Sequence, residues 1–258
     1  MPIHPTAIID SKTVIAADAE IGPYCVIGPD VRIGERTRLM SHVVLEGKLT
    51  IGEDNVFFPF CSCGVEPQDK KYHGERSETI IGNGNSIREF VTIHRGTEGG
   101  GLKTVVGDHN LLMAYVHVAH DVIIHNHTIL ANGVTFAGHV VVEDYANIGG
   151  LSAIHQFCRI GKHSIVGSRS VIKQNVLPFS QTATDHESKV YGANRVGLQR
   201  SGFAAETIEP LQTAFRLLSN SGLNTSQALA KIEQEVPTTA EVKELLDFIR
   251  SSERGFVK

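Results

Sequence analysis

The stretch VAHDVIIHNHTILANGVTFAGHVVVEDYANIGGLSAIHQFCRIGKHSIVGSRSVI (residues 118–172) has a large apolar residue at every sixth position. The same register recurs through most of the chain, at Ile3, Ile9, Ile15, Ile21, Ile27, Ile33, Leu39, Leu45, Ile51, Phe57, Ile81, Ile87, Ile93, Val106 and Leu112, and then from Val118 to Ile172. Helices and flat strands repeat at about 3.6 and 2 residues, so neither element explains this spacing.

A strict short period indicates a solenoid, whose units bury their apolar side only by stacking on neighbours. Each hexad is interpreted as a short strand plus a corner, and glycine at the second place, as in IGKHSI (160–165), suits a tight bend. Three hexads would close a triangular coil of about 18 residues, with the periodic residue pointing inward. The spacing therefore predicts a mainly β fold, a parallel β-helix.

Composition narrows the class further. The 258 residues carry a net charge of −4, which argues against a nucleic-acid binder. The cysteines Cys25, Cys61, Cys63 and Cys158 have neither zinc-ribbon spacing nor disulfide-framework density, so we expect a reducing, cytoplasmic compartment and no metal. We expect no signal peptide and no membrane span.

The hexads stop at Pro178, and apolar residues then return at helical spacing. We predict a left-handed β-helix over 1–186 and a small C-terminal α-helical domain over 187–258 that covers the last coil. Thr238 and Glu241 have capping-box spacing at the start of the last predicted helix. Two register breaks predict loop excursions, at about 63–80 and 99–105.

Thirteen histidines are many for this length, and their phase around the coil is informative. The hexads beginning at Ile93, Val118, Phe136 and Ile154 lie three units apart once the second excursion is removed, so they share one face. They contain His94, His120, His139 and His155, and His117 ends the preceding hexad. Coils stack about 4.8 Å apart, so we expect a column of imidazoles and a candidate site.

Five motifs then make a family resemblance close: HVAHD (117–121), IHRGT (93–97), PQDKKY (67–72), FAGHV (136–140) and IHQFC (154–158). With the ending DFIRSSERG (247–255), the chain resembles the UDP-N-acetylglucosamine acyltransferases of lipid A biosynthesis along essentially its whole length. The resemblance implies the left hand of the helix and a homotrimer with active sites between neighbouring chains. It also implies transfer of a (3R)-3-hydroxyacyl chain from acyl carrier protein to the 3-position of UDP-N-acetylglucosamine.

A sugar hydroxyl is a poor nucleophile at neutral pH and needs a general base, for which His120 is the candidate. The resemblance implies that Asp121 orients His120 and that Gly138 forms an oxyanion hole. Adjacent residues on a strand point oppositely, so the pairing of His120 with Asp121 requires a corner. The substrate-binding residues that the resemblance implies are Gln68, Asp69, Lys71, His94, His117, His139, His155, Gln156, Ser168, His186, Asn194 and Arg200.

Some of these residues come with a specific expectation. Ser168 lies where the family limits acyl length, and its small size suggests room for a long chain. The nucleotide residues, which include Asn194 and Arg200, are expected partly from a neighbouring chain. The family pattern has Glu in place of Val196 and a second Arg in place of Ser201, so the chain departs from it at the uracil contacts. The acceptor is either UDP-N-acetylglucosamine or its 3-amino analogue.

Partners follow from the same resemblance. No cofactor is expected, because the acyl chain arrives on the phosphopantetheine of acyl carrier protein. That carrier is acidic, so we expect a basic docking surface despite the net charge. The candidate residues are Arg159, Lys162, Arg169, Lys173 and Arg195.

Two other classes compete with this interpretation. A zinc lyase of the γ-carbonic anhydrase type uses the same trimeric solenoid, and His120 and His125 have a spacing that such a site could use. A non-enzymatic structural solenoid is the other, but that class favours flat rows of Thr or other polar residues, which this sequence lacks.

Overall fold

The computed structural model describes residues 3–185, 187–220 and 222–258, without the side chains of 183–185, 187 and 220. Within these residues the strands are β1 Ile8–Ile9, β2 Val14–Ile15, β3 Glu20–Ile21, β4 Val26–Ile27, β5 Val31–Ile33, β6 Arg38–Leu39, β7 Val44–Leu45, β8 Lys48–Ile51, β9 Val56–Phe57, β10 Ser62–Val65, β11 Glu78–Ile81, β12 Ser86–Ile87, β13 Thr92–His94, β14 Lys103–Val106, β15 Leu111–Leu112, β16 His117–Val118, β17 Ile123–Ile124, β18 Ile129–Leu130, β19 Thr135–Phe136, β20 Val141–Val142, β21 Asn147–Ile148, β22 Ala153–Ile154, β23 Arg159–Ile160, β24 Ile165–Val166, β25 Val171–Ile172, β26 Ser180–Asp185 and β27 Glu187–Ala193.

Every third strand pairs in parallel, which builds three long sheets around one axis. Sheet 1 runs β1-β4-β7-β10-β13-β16-β19-β22-β25, sheet 2 runs β2-β5-β8-β11-β14-β17-β20-β23, and sheet 3 runs from β3 by the same step to β24, then to β26 and β27. Successive coils keep the hexad register, as in Ile93 beside Val118 and Phe136 beside Ile154. The predicted triangular β-helix is confirmed.

The periodic residue of each hexad forms the core. Ile93, Val118, Phe136 and Ile154 are at most 2% exposed, as the period required. The backbone turns at the corners through a residue of positive φ, such as Asp121 at 61°. Non-glycine residues accept this left-handed conformation only as single residues, which a corner supplies. A second apolar position, the fifth of many hexads, is buried too, as at Val116, Val134 and Val140. Burial of both positions stabilises the stacked coils.

Both excursions leave sheet 1 and return at sheet 2. The first occupies 66–77, between β10 and β11, and the second occupies 95–102, between β13 and β14. Since β10 pairs with β13 and β11 with β14, the two loops lie side by side. Both loops therefore start from the edge of the face that holds the histidines.

The end of the coil is closed by a hairpin and helices. Strand β27 pairs antiparallel with β26, so the predicted boundary at 186/187 falls within this hairpin and stays a prediction. The helices are α1 Arg195–Arg200, α2 Ala205–Asn220, α3 Thr225–Glu235 and α4 Ala240–Arg250. The expected cap of α4 was wrong by one residue, because Thr239 rather than Thr238 accepts the Val242 N–H. No helix in the described part of the chain is long and apolar enough to cross a bilayer.

Candidate active site

His120 and Asp121 form a hydrogen-bonded dyad at the corner that follows β16. The Asp121 carboxylate lies 2.7 Å from His120 Nδ1, because the positive φ of Asp121 swings its side chain back toward the preceding residue. The Asp121 side chain is 1% exposed and that of His120 is 15% exposed. A carboxylate accepts, so the proton lies on Nδ1 and the lone pair of His120 lies on Nε2.

Thr97, in the second excursion, holds the Asp121 carboxylate from the other side. The Thr97 N–H donates to Oδ1 at 2.8 Å and its hydroxyl donates to Oδ2 at 2.5 Å. The Asp121 N–H in turn donates to Thr104 Oγ1 at 2.8 Å. A carboxylate that accepts from several fixed donors is oriented before substrate arrives, which preserves its alignment with His120.

Gly100 shows how closely this loop covers the dyad. A Cβ at Gly100 would lie 2.0 Å from the Asp121 carboxyl carbon, whereas a Cβ at the preceding Gly99 would meet nothing within 4 Å. On the opposite side, a Cβ at Gly138 would lie 2.5 Å from His120 Cε1. Glycine is therefore required at Gly100 and Gly138 for packing against the dyad.

His94 and His117 form a second pair beneath the dyad. Their rings meet edge to face at 5.0 Å, and His117 Nδ1 lies 2.7 Å from the Thr92 hydroxyl. His94 is 4% exposed, and burial, followed by the nearby His117 and His120, lowers its pKa to about 4. Burial also lowers the pKa of His117. Both rings are therefore neutral near pH 7, which suits hydrogen bonding rather than charge pairing.

The expected single column of imidazoles was wrong in detail. His139 contacts His120 edge to face at 5.1 Å and stacks on Phe157 at 4.5 Å, so the rings form two perpendicular pairs rather than one stack. The shared face itself is confirmed by the pairing of β13, β16, β19 and β22. Burial lowers the pKa of His139, against the opposing charge of Asp121.

The first excursion brings polar side chains over the dyad. Asp69 Oδ2 lies 3.9 Å from His120 Nε2. The loop is held by Arg95, whose Nε and Nη2 donate to the Tyr72 hydroxyl at 3.0 and 2.9 Å and whose Nη1 donates to the Gly64 carbonyl. The Glu98 N–H also donates to Glu75 at 3.3 Å. These bonds join the two excursions and fix the distance of Asp69 from the histidine.

A cleft of about 840 Å³ opens in front of His120. Of the predicted residues it is lined by Gln68, Asp69, Lys71, His117, His120, Gly138, His139, His155 and Gln156. Ala153 and Val171 continue its floor along sheet 1, away from the dyad. One cleft therefore joins a base, a polar loop and an apolar track.

The remaining predicted residues lie elsewhere. Asp121 and His94 are buried behind the cleft. Ser168 is exposed at the corner between sheets 3 and 1, while Asn194 caps α1 and Arg200 ends that helix. His186 lies outside the described residues. A single chain thus brings together only those predicted residues that line the cleft beside sheet 1.

Two residues were missed by sequence reasoning. Thr97 holds Asp121, and its only signal was its place between IHRG and a glycine run. Arg254 follows α4, and its Nη2 lies 2.7 Å from His155 Nδ1. The two residues are 99 positions apart, so no local pattern links them.

Metal ligation at the dyad competes with existing hydrogen bonds. His120, Asp121 and His139 offer ligand atoms within 4.8 Å of one another. However, the Asp121 carboxylate already accepts from Thr97 and from His120 Nδ1. His125, the further ligand of the lyase hypothesis, is exposed after β17 of sheet 2 and does not line this cleft.

Comparison with known proteins decides between the hypotheses. A family model described as UDP-N-acetylglucosamine O-acyltransferase, domain 2, matches residues 175–257, and a bacterial transferase hexapeptide model matches 103–138. An acyl-[acyl-carrier-protein]–UDP-N-acetylglucosamine O-acyltransferase of Thermodesulfovibrio yellowstonii is 49% identical over 256 residues, 99% of each chain. This chain belongs to that family.

Solved structures agree. LpxA from Acinetobacter baumannii is 45% identical with a TM-score of 0.95 and covers 99% of both chains. A UDP-N-acetylglucosamine acyltransferase from Bacteroides fragilis is 40% identical with a TM-score of 0.96, covering 99% of this chain and all of its own. The chain is therefore an acyltransferase of the lipid A pathway with a left-handed β-helix, and the lyase hypothesis is not favoured.

Proposed function

We propose that the chain transfers a (3R)-3-hydroxyacyl group from acyl carrier protein to the 3-position of UDP-N-acetylglucosamine, with His120 as the general base. Family membership supports the reaction class. The observation that carries the role of His120 is its 2.7 Å bond to Asp121 through Nδ1, which leaves the Nε2 lone pair facing the cleft.

The proton has a complete path in this mechanism. The sugar 3-hydroxyl attacks the thioester carbonyl while His120 Nε2 takes its proton. The tetrahedral intermediate then expels the phosphopantetheine thiolate, which takes that proton back from Nε2. Asp121 stabilises the imidazolium formed between the two steps, and the hydrogen bonds from Thr97 and His120 hold its carboxylate in place.

Gly138 is suited to the oxyanion. It lies against His120 and lines the same cleft, so its backbone is near the place where a hydroxyl beside Nε2 would attack a carbonyl. Among the described residues that N–H has no hydrogen-bond acceptor and is available to donate. One donor of this kind is commonly worth a factor of about 10² in rate.

Substrate placement follows the two ends of the cleft. We assign the sugar and diphosphate to the end with Gln68, Asp69, Lys71 and His139, and the acyl chain to the track of Ala153 and Val171. Asn194, Arg200, Gln156 and His186 would hold the nucleotide partly from a neighbouring chain. Ser168 would limit acyl length from the same neighbouring surface.

A homotrimer completes the site in this proposal. The outward side chains of sheet 1 include Ile8, Val26 and Val171, all exposed. The adjoining corner carries a stacked row of exposed rings, with Tyr24, His42, Phe60, Phe90 and Tyr115 at centroid spacings of 4.9–5.0 Å. Exposed apolar surface of this extent is typical of a protein interface, and it lies next to the cleft.

Acyl carrier protein, and no cofactor, would supply the acyl group. The proposed basic docking surface is smaller than the sequence suggested, because Arg159 pairs with Glu143 at 3.2 Å and Lys162 with Glu244 at 3.7 Å. Lys173 lines the cleft and Arg169 is exposed beside it, so these two remain the candidates near the site. The four cysteines are free and buried, which supports a cytoplasmic location.

Mass spectrometry of the product tests the proposal. The protein is incubated with UDP-N-acetylglucosamine and a mixture of 3-hydroxyacyl carrier proteins, and an ester of the expected mass should form. In a parallel incubation with the 3-amino analogue as acceptor, faster formation of an amide that resists mild base would show a preference for that analogue. His120→Ala should abolish turnover in a folded oligomer. Turnover retained by this variant would remove His120 from the mechanism. Stoichiometric zinc in the purified protein, together with carbon dioxide hydration, would favour the zinc lyase hypothesis instead.

A further inference from the structure

The last residues of the chain return to the mouth of the cleft. After α4, the Asn175 N–H donates to the Gly255 carbonyl at 3.1 Å and the Val257 N–H donates to the Asn175 carbonyl at 2.9 Å. These two bonds place the segment beside the last coil of the β-helix. Arg254, half-buried in this segment, is thereby brought next to Lys173 and His155, which both line the cleft.

The Arg254 guanidinium is fixed by more than one partner. Its Nε donates to the Lys173 carbonyl at 3.0 Å, and its Nη2 lies 2.7 Å from His155 Nδ1. It also lies beside the Cys158 thiol. A planar guanidinium held at Nε has little freedom left at Nη2, so the contact with His155 is directional.

This contact decides where the proton of His155 lies. Arginine has donors only, so His155 Nδ1 must supply a lone pair. The Gln156 carbonyl, 3.2 Å from the same nitrogen, would need an N–H there, but that hydrogen would point against the shorter contact from Arg254. The neutral His155 ring therefore carries its proton on Nε2.

We propose that Arg254 is a positioning residue that holds His155 in the Nε2–H tautomer, so that His155 donates a hydrogen bond to an oxygen of the bound substrate. His155 has then no free lone pair, whereas His120, protonated on Nδ1 by its bond to Asp121, presents one on Nε2. Two histidines of one cleft thus take opposite tautomers, one as donor and one as base. This inference rests on the proposed function for its substrate.

The tautomer is measured directly by two-bond ¹H–¹⁵N correlation spectra of the ¹⁵N-histidine-labelled protein, with His155 assigned by its loss in His155→Gln. We expect Nε2 protonated in the wild type and a mixture of tautomers in Arg254→Met. A wild-type ring protonated on Nδ1 would overturn the proposal. This measurement needs no turnover, so its result can be distinguished from a failure of the proposed reaction.

A double-mutant cycle separates positioning from structural support. Arg254→Met should raise KM for UDP-N-acetylglucosamine about tenfold with kcat little changed, since one donor is misdirected. In the His155→Gln background, whose amide has no tautomer, the same change should alter KM less than twofold. Equal losses in both backgrounds would mean that Arg254 only supports the fold. Arg250→Met is the matched control, because Arg250 pairs with Glu233 and Asp247 and not with His155.

Discussion

The Thr97 hydroxyl lies 2.5 Å from Asp121 Oδ2, the same oxygen that accepts from His120 Nδ1. The carboxylate thus divides its hydrogen bonding between a loop and the proposed base. The second excursion, which carries Thr97, is therefore part of the catalytic geometry and not only a connection between sheets.

Replacing Thr97 tests that division. Thr97→Val should lower kcat about tenfold, because Asp121 loses a charge-assisted hydrogen bond and its fixed orientation. Thr97→Ser keeps the hydroxyl and should restore kcat. A kcat of Thr97→Val equal to that of the wild type, in steady-state kinetics, would contradict the link.

Neighbouring glycines offer a second test, for steric contact. Gly100→Ala should lower kcat by about 10²-fold, because its Cβ would lie 2.0 Å from the Asp121 carboxyl carbon and displace the dyad. Gly99→Ala adds the same methyl group to open space one residue earlier and is the control. Steady-state kinetics on both variants, at equal melting temperature, measures the difference. Similar activity in the two would show that the loop yields to the added methyl.

Loop anchoring gives a third test. Tyr72→Phe removes the hydroxyl that accepts two hydrogen bonds from Arg95, which frees the loop that carries Asp69 and Lys71. We expect KM for the nucleotide sugar to rise about tenfold while kcat changes little, since uniform binding is lost. Tyr145→Phe, at the corner between sheets 2 and 3 and outside the cleft, should leave both constants unchanged. A fall in kcat without a change in KM would place the effect on the dyad instead.

Sequence predicted the fold because its signal is local. Each hexad carries its own inward residue, so the period alone orders the strands around the axis. The bond between His120 and Asp121 was implied by the family resemblance and required a corner, and the corner is present. The single histidine column failed because His94, His120 and His139 occupy the second, third and fourth places of their hexads and so project in different directions around a turn.

Contacts made by the loops and the tail could not be predicted in this way. Thr97 meets Asp121 across 24 residues, and Arg254 meets His155 across 99. Neither contact is set by the hexad period, since each depends on how an aperiodic segment returns to the coil. Asn194 and Arg200 lie outside the cleft of their own chain. The contacts proposed for them with a neighbouring chain likewise cannot be predicted from the hexad period.

The last test concerns the stability of the fold in acid. It uses His163, which lies in a second row of stacked rings formed by His109, His127, Tyr145 and His163. His163 is 8% exposed and stacks on Tyr145 at 4.6 Å; burial, followed by the charge of Lys162, lowers its pKa to about 4. The unfolded chain has an ordinary histidine pKa near 6.5 and takes up the proton first, so this contribution to stability is present above about pH 6.5 and is lost as the pH falls toward 4.

His163→Phe removes the titrating group and keeps a ring at a corner of the kind that already accommodates Phe157 and Phe179. The melting temperature of the wild type should fall more steeply between pH 7 and pH 5 than that of the variant. His127→Phe changes an exposed ring of the same row and should keep the wild-type slope. If the melting temperatures of the wild type and His163→Phe fall equally between pH 7 and pH 5, the His163 ring takes up its proton without unfolding, which contradicts the prediction.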